Sequence, residues 1–208
     1  QTLNTKKLAN KEKGVGFDQL LYVKNKKPFE VLVFNSDGSE ADNCINGLRC
    51  IAFLYALNNE AIYIKDRKFV VRSTKSGAEV SGNLPTVNKN NNYYVINFGN
   101  NHIAREYPDI DLINLENEYV KLKDSKEFKG IKNFNFSIYQ KSEKSIAIRT
   151  FENGAGETLS CGSATISVAY ALMKDTNENE FLFASRGGKT KVLKDNGSIK
   201  SEANAVIL

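Results

Sequence analysis

The segment Phe151-Glu152-Asn153-Gly154-Ala155-Gly156-Glu157-Thr158-Leu159-Ser160-Cys161-Gly162-Ser163-Ala164 has a counterpart earlier in the chain. That counterpart reads Phe34-Asn35-Ser36-Asp37-Gly38-Ser39-Glu40-Ala41-Asp42-Asn43-Cys44-Ile45-Asn46-Gly47. In both, an apolar run ends in Phe, a Gly-containing turn follows, Glu sits four residues before Cys, and Cys comes ten after Phe. Ile51 with Val168 and Ala52 with Ala169 continue the match at the same offset of 117 residues. One copy in each half predicts a duplicated fold.

Working outward, each cysteine opens an apolar run of helical length and spacing, at 44–57 and 161–173. Short β-branched and aromatic runs flank them: LLYV at 20–23, VLVF at 31–34, AIYI at 61–64 and KFVVRS at 68–73. YYVINF at 93–98, FNFSIYQ at 134–140, SIAIRTF at 145–151 and FLFAS at 181–185 follow. All eight read as strands. A short helix is expected at 112–118. SGNLPTVNKNNN at 81–92, with its Gly, Pro and Asn run, reads as a linker.

Composition limits what such a chain can be. At 208 residues, 41% hydrophobic and 25% charged, it is long enough for one sizeable domain or two small ones. Collagen-like, coiled-coil and disordered classes are excluded. No apolar run is long enough to span a bilayer, so no membrane partner is expected. The net charge of +5 comes mainly from scattered lysines, 23 against 6 arginines, which reads as a solvated surface. Arginine dominates specific base contacts, so no nucleic-acid partner is expected. Three Cys without a CxxC pair, and one His, exclude a disulfide framework and an ordinary zinc site. No metal is expected, and a reducing cytoplasm is the expected compartment. The lone methionine, Met173, lies deep in the chain, so processing at the amino end or a longer parent chain is expected.

The repeated cysteines point to a chemistry. A thiol titrates near pH 8.5, and helix-end amides together with the helix dipole stabilise its thiolate. Asn43 and Ser160 precede the two cysteines and suit the N-cap. The amides just after each Cys can bind a carboxylate. Two related halves would set two such thiols on opposite sides of one cleft. Inversion α to a carboxylate needs that arrangement: one base removes the proton from one face, and an acid returns one to the other. No pyridoxal or other cofactor is needed. Cys50, a few residues into the first helix, reads as a small buried hydrophobe.

At these residues the sequence resembles the diaminopimelate epimerase family. The resemblance rests on GVGFDQLL at 14–21, FNSDGSEADNCINGLRC at 34–50, GNNH at 99–102, NFNF at 133–136 and FENGAGETLSCGSA at 151–164. These pieces stand in the family's order from about residue 8 to the end. The resemblance implies a mixed α/β (α+β) fold of two pseudo-symmetric domains. Each is a curled mixed sheet around a central helix, at 1–85 with Cys44 and 86–199 with Cys161, the strand at 200–208 joining the first. It implies interconversion of LL- and meso-diaminopimelate without a cofactor, on the path to lysine and peptidoglycan precursors. Cys44 and Cys161 match the catalytic pair, and His102 and Glu152 the pair that tunes the thiols and helps position the substrate. Gln19, Asn35, Asn46, Asn100 and Asn133 match hydrogen-bonding positions, and Gly162 and Ser163 the backbone anion site. A small amino-acid substrate and a homodimer are the partners implied.

The chain also departs from the family. The amino-terminal Gly-Asn-Asp-Phe segment with its first strand is not found, and the region 76–93 is shorter. Asn153, at the substrate, stands where the family has arginine, and a neutral amide does not replace a bidentate cation. Ile45 occupies a glycine position beside the first thiol, where its amide survives but its branched side chain crowds the pocket. Asn101 replaces a proline, Ala164 a glycine, and Leu208 falls near a dimer-contact tyrosine. Arg149 is read as a surface residue or a carboxylate partner, and Glu40 and Glu157 as hydrogen-bonding supports of the two turns. Three readings stay open: an authentic diaminopimelate epimerase, a related racemase with another substrate, and a non-catalytic relative.

Overall fold

A computed structural model describes residues 4–206; Leu208, and the dimer contact expected there, lie outside them. After a short helix α1 (Thr5–Ala9), strand β1 (Gln19–Lys26) pairs antiparallel with β2 (Phe29–Asn35). Helix α2 (Ile45–Leu54) then carries the chain back, so β3 (Asn58–Ile64) lies parallel to β2. β4 (Arg67–Ser73) and β5 (Gly77–Asn83) continue as an antiparallel meander. β6 (Thr86–Asn90), β7 (Tyr93–Asn97) and β8 (Asn101–Glu106) form a second meander. Helix α3 (Leu115–Asp124) crosses over to β9 (Phe134–Lys141), which is parallel to β8. β9 pairs antiparallel with β10 (Ile146–Glu152), which carries the three-residue β11 (Gly156–Thr158) at its end. Helix α4 (Gly162–Asp175) leads to β12 (Glu180–Ser185), parallel to β10, and β13 (Gly188–Asp195) and β14 (Ser198–Asn204) complete the chain.

The duplication is visible in this order. The offset of 117 residues that relates the cysteines also carries β2 onto β10 end for end. Antiparallel pair, helix, parallel return and two-strand meander occur in both halves, first as β1 to β5 with α2, then as β9 to β14 with α4. The halves join where β5 pairs antiparallel with β14, giving one mixed sheet ordered β1-β2-β3-β4-β5-β14-β13-β12-β10-β9-β8-β7-β6. The fold class is the mixed α/β expected, one large curled sheet with few helices. Residue 85 lies in the two-residue connection between β5 and β6.

Burial explains the curl. Every residue of α4 from Gly162 to Met173 is buried, and the helix touches β7, β8, β9, β12, β13 and β14. A helix apolar or small on all sides must be wrapped, since one sheet face cannot cover it. α2 instead buries one face, Ile45, Leu48, Ile51 and Ala52, against β4 and β5. One core cluster contains both helices, and a second lies under α3 on the other face of β8–β10. Fully buried Phe69, Phe136 and Phe183 anchor these clusters, each contributing about 1.5–3 kcal/mol.

All eight strand runs form strands. Three expectations are corrected. Residues 81–92 are not a linker: β5 ends and β6 runs within them, leaving only residues 84–85 and the turn at 91–92 outside strands. The Asn run serves a polar edge strand and a tight turn, with Asn91 at φ 50 in the left-handed region that Asn tolerates. The helix expected at 112–118 lies at 115–124, because Asn114 caps it by accepting from the Asn117 amide at 3.0 Å. Its buried stripe is Leu115, Tyr119 and Leu122. α2 stops at Leu54 rather than residue 57; the Tyr55 amide still bonds Ile51, and Ala56 then turns to φ 50.

Candidate active site

The two repeated turns bring the helix starts together. Both cysteines are themselves the N-cap residues, with extended backbone, rather than the first helical residues. Cys44 Sγ accepts from the Gly47 amide at 3.2 Å. Asn43, expected as the cap, instead donates to the Phe98 carbonyl at 3.0 Å and to Asn100 Oδ1 at 3.1 Å. Ser160 offers its backbone carbonyl across the gap, accepting from Asn46 Nδ2 at 3.0 Å. Gly162 lies so close to the start of α2 that an added Cβ would stand 2.8 Å from Ile45 Cβ.

Between the helix starts lies a cleft of about 320 Å³ whose walls include both cysteines. Gln19 and Asn35 line it and bond each other at 3.0 Å. Ile45, Asn46, Asn100 and Asn133 line it as well, as do Glu152, Asn153, Gly162 and Ser163. His102 does not. Its ring is fully buried behind Asn100, with Nε2 bonded to Asn100 Oδ1 at 3.0 Å and Nδ1 without a partner. Burial pulls its pKa down to about 3, so it is neutral and acts on the cleft only through Asn100. An adjoining cavity of about 350 Å³ shares Cys44, Asn46 and Glu152 and extends to Asp18 and Cys50. Cys50 is exposed rather than buried, because it falls on the side of α2 turned away from the sheet.

The electrostatics differ from the expected thiolates. Burial pushes the Cys44 thiol up to about 12 and the Cys161 thiol well above its ordinary value. The helix-end amides of Gly47 and Ala164 pull the other way but are outweighed, and the Glu152 carboxylate raises both thiols further. Desolvation of an ion costs more here than one or two amide contacts return. Glu152 is itself buried, which raises its pKa, and it accepts from Thr158 Oγ1 at 2.6 Å, while the Cys161 sulfur lies 3.5 Å from Ser163 Oγ. Of the residues expected in the site, Asn153 accepts from the Tyr119 hydroxyl at 3.0 Å through Oδ1. Its amide N–H groups, like those of Asn100, have no partner among the described residues.

Arg149 and Glu157 hold the second turn rather than the cleft. The Arg149 guanidinium pairs with both Glu157 oxygens at 2.7 and 2.9 Å and donates to the Ile113 carbonyl at 3.0 Å. Glu40 lines the cleft with Asp42, and Lys65 pairs with Asp42 at 2.6 Å from outside. Sequence reasoning missed Asn135 and Arg49, and gave Asn43 the wrong role. Asn135 supports the Asn153 backbone at 3.0 Å. Arg49 was readable as a charge set within the apolar face of α2. Among the described residues, no group of three His, Cys, Asp or Glu side chains could hold a metal ion, and no helix is long and apolar enough to cross a membrane.

Comparison with known proteins bears on the fold and on the family. A phenazine biosynthesis PhzC/PhzF protein from Clostridium difficile superposes with a TM-score of 0.71 over 98% of this chain and 85% of its own, at 14% identity. A PhzF-family protein from Bacillus anthracis superposes with a TM-score of 0.66, covering 90% of this chain and 81% of its own, at 15% identity. These likenesses concern the fold. In sequence, the diaminopimelate epimerase of Flavobacterium psychrophilum is 31% identical over 89% of this chain and 77% of its own length. That of Nitrosomonas eutropha is 28% identical over 90% of this chain and 78% of its own. The family model for diaminopimelate epimerase matches residues 94–207, more than half the chain. Sequence kinship on that scale, on a fold that repeats its cysteine turn, establishes that the chain belongs to the diaminopimelate epimerase family.

Proposed function

We propose that the protein is a cofactor-independent epimerase that inverts the α-carbon of diaminopimelate by proton transfer between Cys44 and Cys161. The observation that carries this reading is that both cysteines, each at the start of a helix, line one cleft. One sulfur, as thiolate, takes the α-proton from one face, and the other, as thiol, returns a proton to the opposite face. In the reverse direction the roles exchange. The charge that develops spreads onto the α-carboxylate, which the backbone amides of Ile45, Asn46, Gly162 and Ser163 are oriented to receive at the helix starts.

Burial favours the neutral form of both thiols, and substrate changes that balance. An α-ammonium group brings a positive charge beside the sulfurs and Glu152, which lowers the cost of a thiolate. Glu152, which lines the cleft with Cys161, is in this reading the acceptor for the proton that leaves the thiol. Gln19, Asn35, Asn100 and Asn133 supply neutral hydrogen bonds. The N–H groups of Asn153 and Asn100 are the donors left for a distal carboxylate. Reduced thiols are required, which fits the cytoplasm.

A second reading is favoured by one observation. Among the described residues no Lys, Arg or His lines the cleft, while Glu40, Asp42 and Glu152 do. Such walls suit an amino acid without a distal carboxylate. Incubation in heavy water under reductant separates the readings. LL-diaminopimelate should yield α-deuterated meso product, and Cys44→Ala or Cys161→Ala should each reduce exchange by about 10²–10⁴-fold. Cys50→Ala should keep most of the rate. Exchange into other amino acids alone would select the second reading. Equal rates across the three variants would refute the two-thiol mechanism.

A further inference from the structure

Arg49 is the charged group in α2 that the reaction outlined above does not use. It is 3% exposed, and its guanidinium pairs with no carboxylate among the described residues. Nη1 donates to Asn46 Oδ1 and Nη2 to Ser201 Oγ, both at 2.7 Å, while Nε is buried without a partner. A buried cation lacking a counter-ion is costly to keep. Its charge is available to balance a negative charge that forms nearby during a reaction.

The surroundings identify that charge. Ser201 on β14 pairs with Val80 on β5, and both are buried beneath α2. The neighbouring Glu202 and Glu79 pair at the next register position, so they point to the opposite face of the sheet. No sheet carboxylate is therefore turned toward Arg49. On the cleft side, the titratable groups around Cys44 are Glu152 at the end of β10, Cys50 on α2, Cys161 at α4, Asp18 before β1, and Glu40 and Asp42 in the turn before α2, whose carboxylates engage Lys65 from outside the cleft. Each of these is neutral or negative. Arg49 is thus the cation behind the first thiol, and the sulfur of Cys44 is the acid whose ionisation it can stabilise.

Its hydrogen bonds add a second effect. With Oδ1 of Asn46 held by Arg49, the amide nitrogen of Asn46 must face away from the guanidinium. It donates there to the Ser160 carbonyl, one residue before Cys161. Ser201, Arg49, Asn46 and Ser160 form a continuous polar chain from the sheet joint to the second helix start.

We propose that Arg49 is a positioning residue for the epimerase reaction, supplying the fixed positive charge that balances a Cys44 thiolate and aiming Asn46 across the cleft. The proposal rests on the two-thiol reading. Its test uses iodoacetamide alkylation of Cys44 against pH, followed by peptide mass spectrometry that resolves the three cysteines. Alkylation requires thiolate but no substrate. Arg49→Met should slow Cys44 alkylation at pH 8 about tenfold, which corresponds to one unit of thiol pKa. Arg49→Lys should keep the charge and restore most of that rate, while lowering kcat for exchange because a lysine cannot hold Asn46 and Ser201 together. Ser201→Ala leaves the charge in place and should leave the alkylation profile unchanged. It keeps the proposal testable should Arg49→Met fail to fold.

A folded Arg49→Met with the wild-type profile would overturn the proposal. So would an Arg49→Lys or Ser201→Ala profile shifted as far as that of Arg49→Met. Wild-type protein that exchanges no amino acid would refute the reaction, and the alkylation series would still judge the charge.

Discussion

Replacing Gly162 by Ala tests the closeness of the two helix starts directly. A Cβ there would lie 2.7 Å from Asn46 Oδ1, 2.8 Å from Ile45 Cβ and 3.1 Å from Ile45 Cγ2. Carbon atoms prefer about 3.5–4.0 Å, so α2 and α4 must part by about 1 Å. Rotamer changes give no relief, because the Cβ of Ile45 is fixed to its backbone. Overpacking of this kind costs about 1–3 kcal/mol, partly offset by the preference of helices for Ala over Gly, worth up to about 1 kcal/mol. A chain of this size loses about 2–4 °C of Tm per kcal/mol, so a drop of a few degrees is expected. The reaction should suffer far more. A displacement of about 1 Å in a catalytic group costs about 10²-fold, and here it separates two sulfurs that must reach one carbon. Thermal unfolding by circular dichroism, together with α-proton exchange into LL-diaminopimelate, measures both effects. Adding Ile45→Gly to Gly162→Ala removes the closest carbon and should recover at least about tenfold of the lost rate, a coupling expected only of residues in contact. Exchange by Gly162→Ala within twofold of wild type would refute the claim that the helix starts meet across the cleft.

Two further outcomes follow from the site. Asn153→Arg returns a guanidinium to a cleft without a cation, and should lower KM for diaminopimelate by about 10-fold or more, the value of a charge-assisted hydrogen bond; steady-state kinetics would show it, and an unchanged KM would place the distal carboxylate elsewhere. His102, held neutral with its pKa near 3 against an ordinary 6.5, binds a proton in the unfolded chain before it does in the fold. Stability from this group is therefore complete above about pH 6.5 and is lost as pH falls toward about 3. Melting curves from pH 4 to 7 should show that slope, and His102→Gln should flatten it; an equal slope in the variant would assign the acid sensitivity to other groups.

Much of the fold was legible because its strands carry their own signal. The runs at 20–23, 31–34, 61–64 and 134–140 are β-branched or aromatic, and each became a strand. The strands that went unread are those whose stability comes from partners. β6 is Thr-Val-Asn-Lys-Asn, and β14 buries only Ile199 and Ser201. Neither pattern identifies a strand until β7, or β5 and β13, supply the ladder. In the site, the cysteines and the asparagines were legible from the repeated turn and the family's pattern. Arg49 passed unnoticed because its meaning depends on Ser201, 152 residues away.

What the sequence determined by itself was local and repeated: that each cysteine stands within a residue of a helix start, and that the two halves share one plan. Spacing along the chain is enough for such conclusions, since they rest on contacts within a few residues. The tertiary structure alone decided that Cys44 and Cys161 share a cleft, that His102 stands behind Asn100, and that burial pushes both thiols up where helix ends alone would pull them down. These depend on burial and on charges brought from distant strands. Desolvation and Coulomb energy are set by the atoms around a group in space, and the order of residues along the chain does not reveal them.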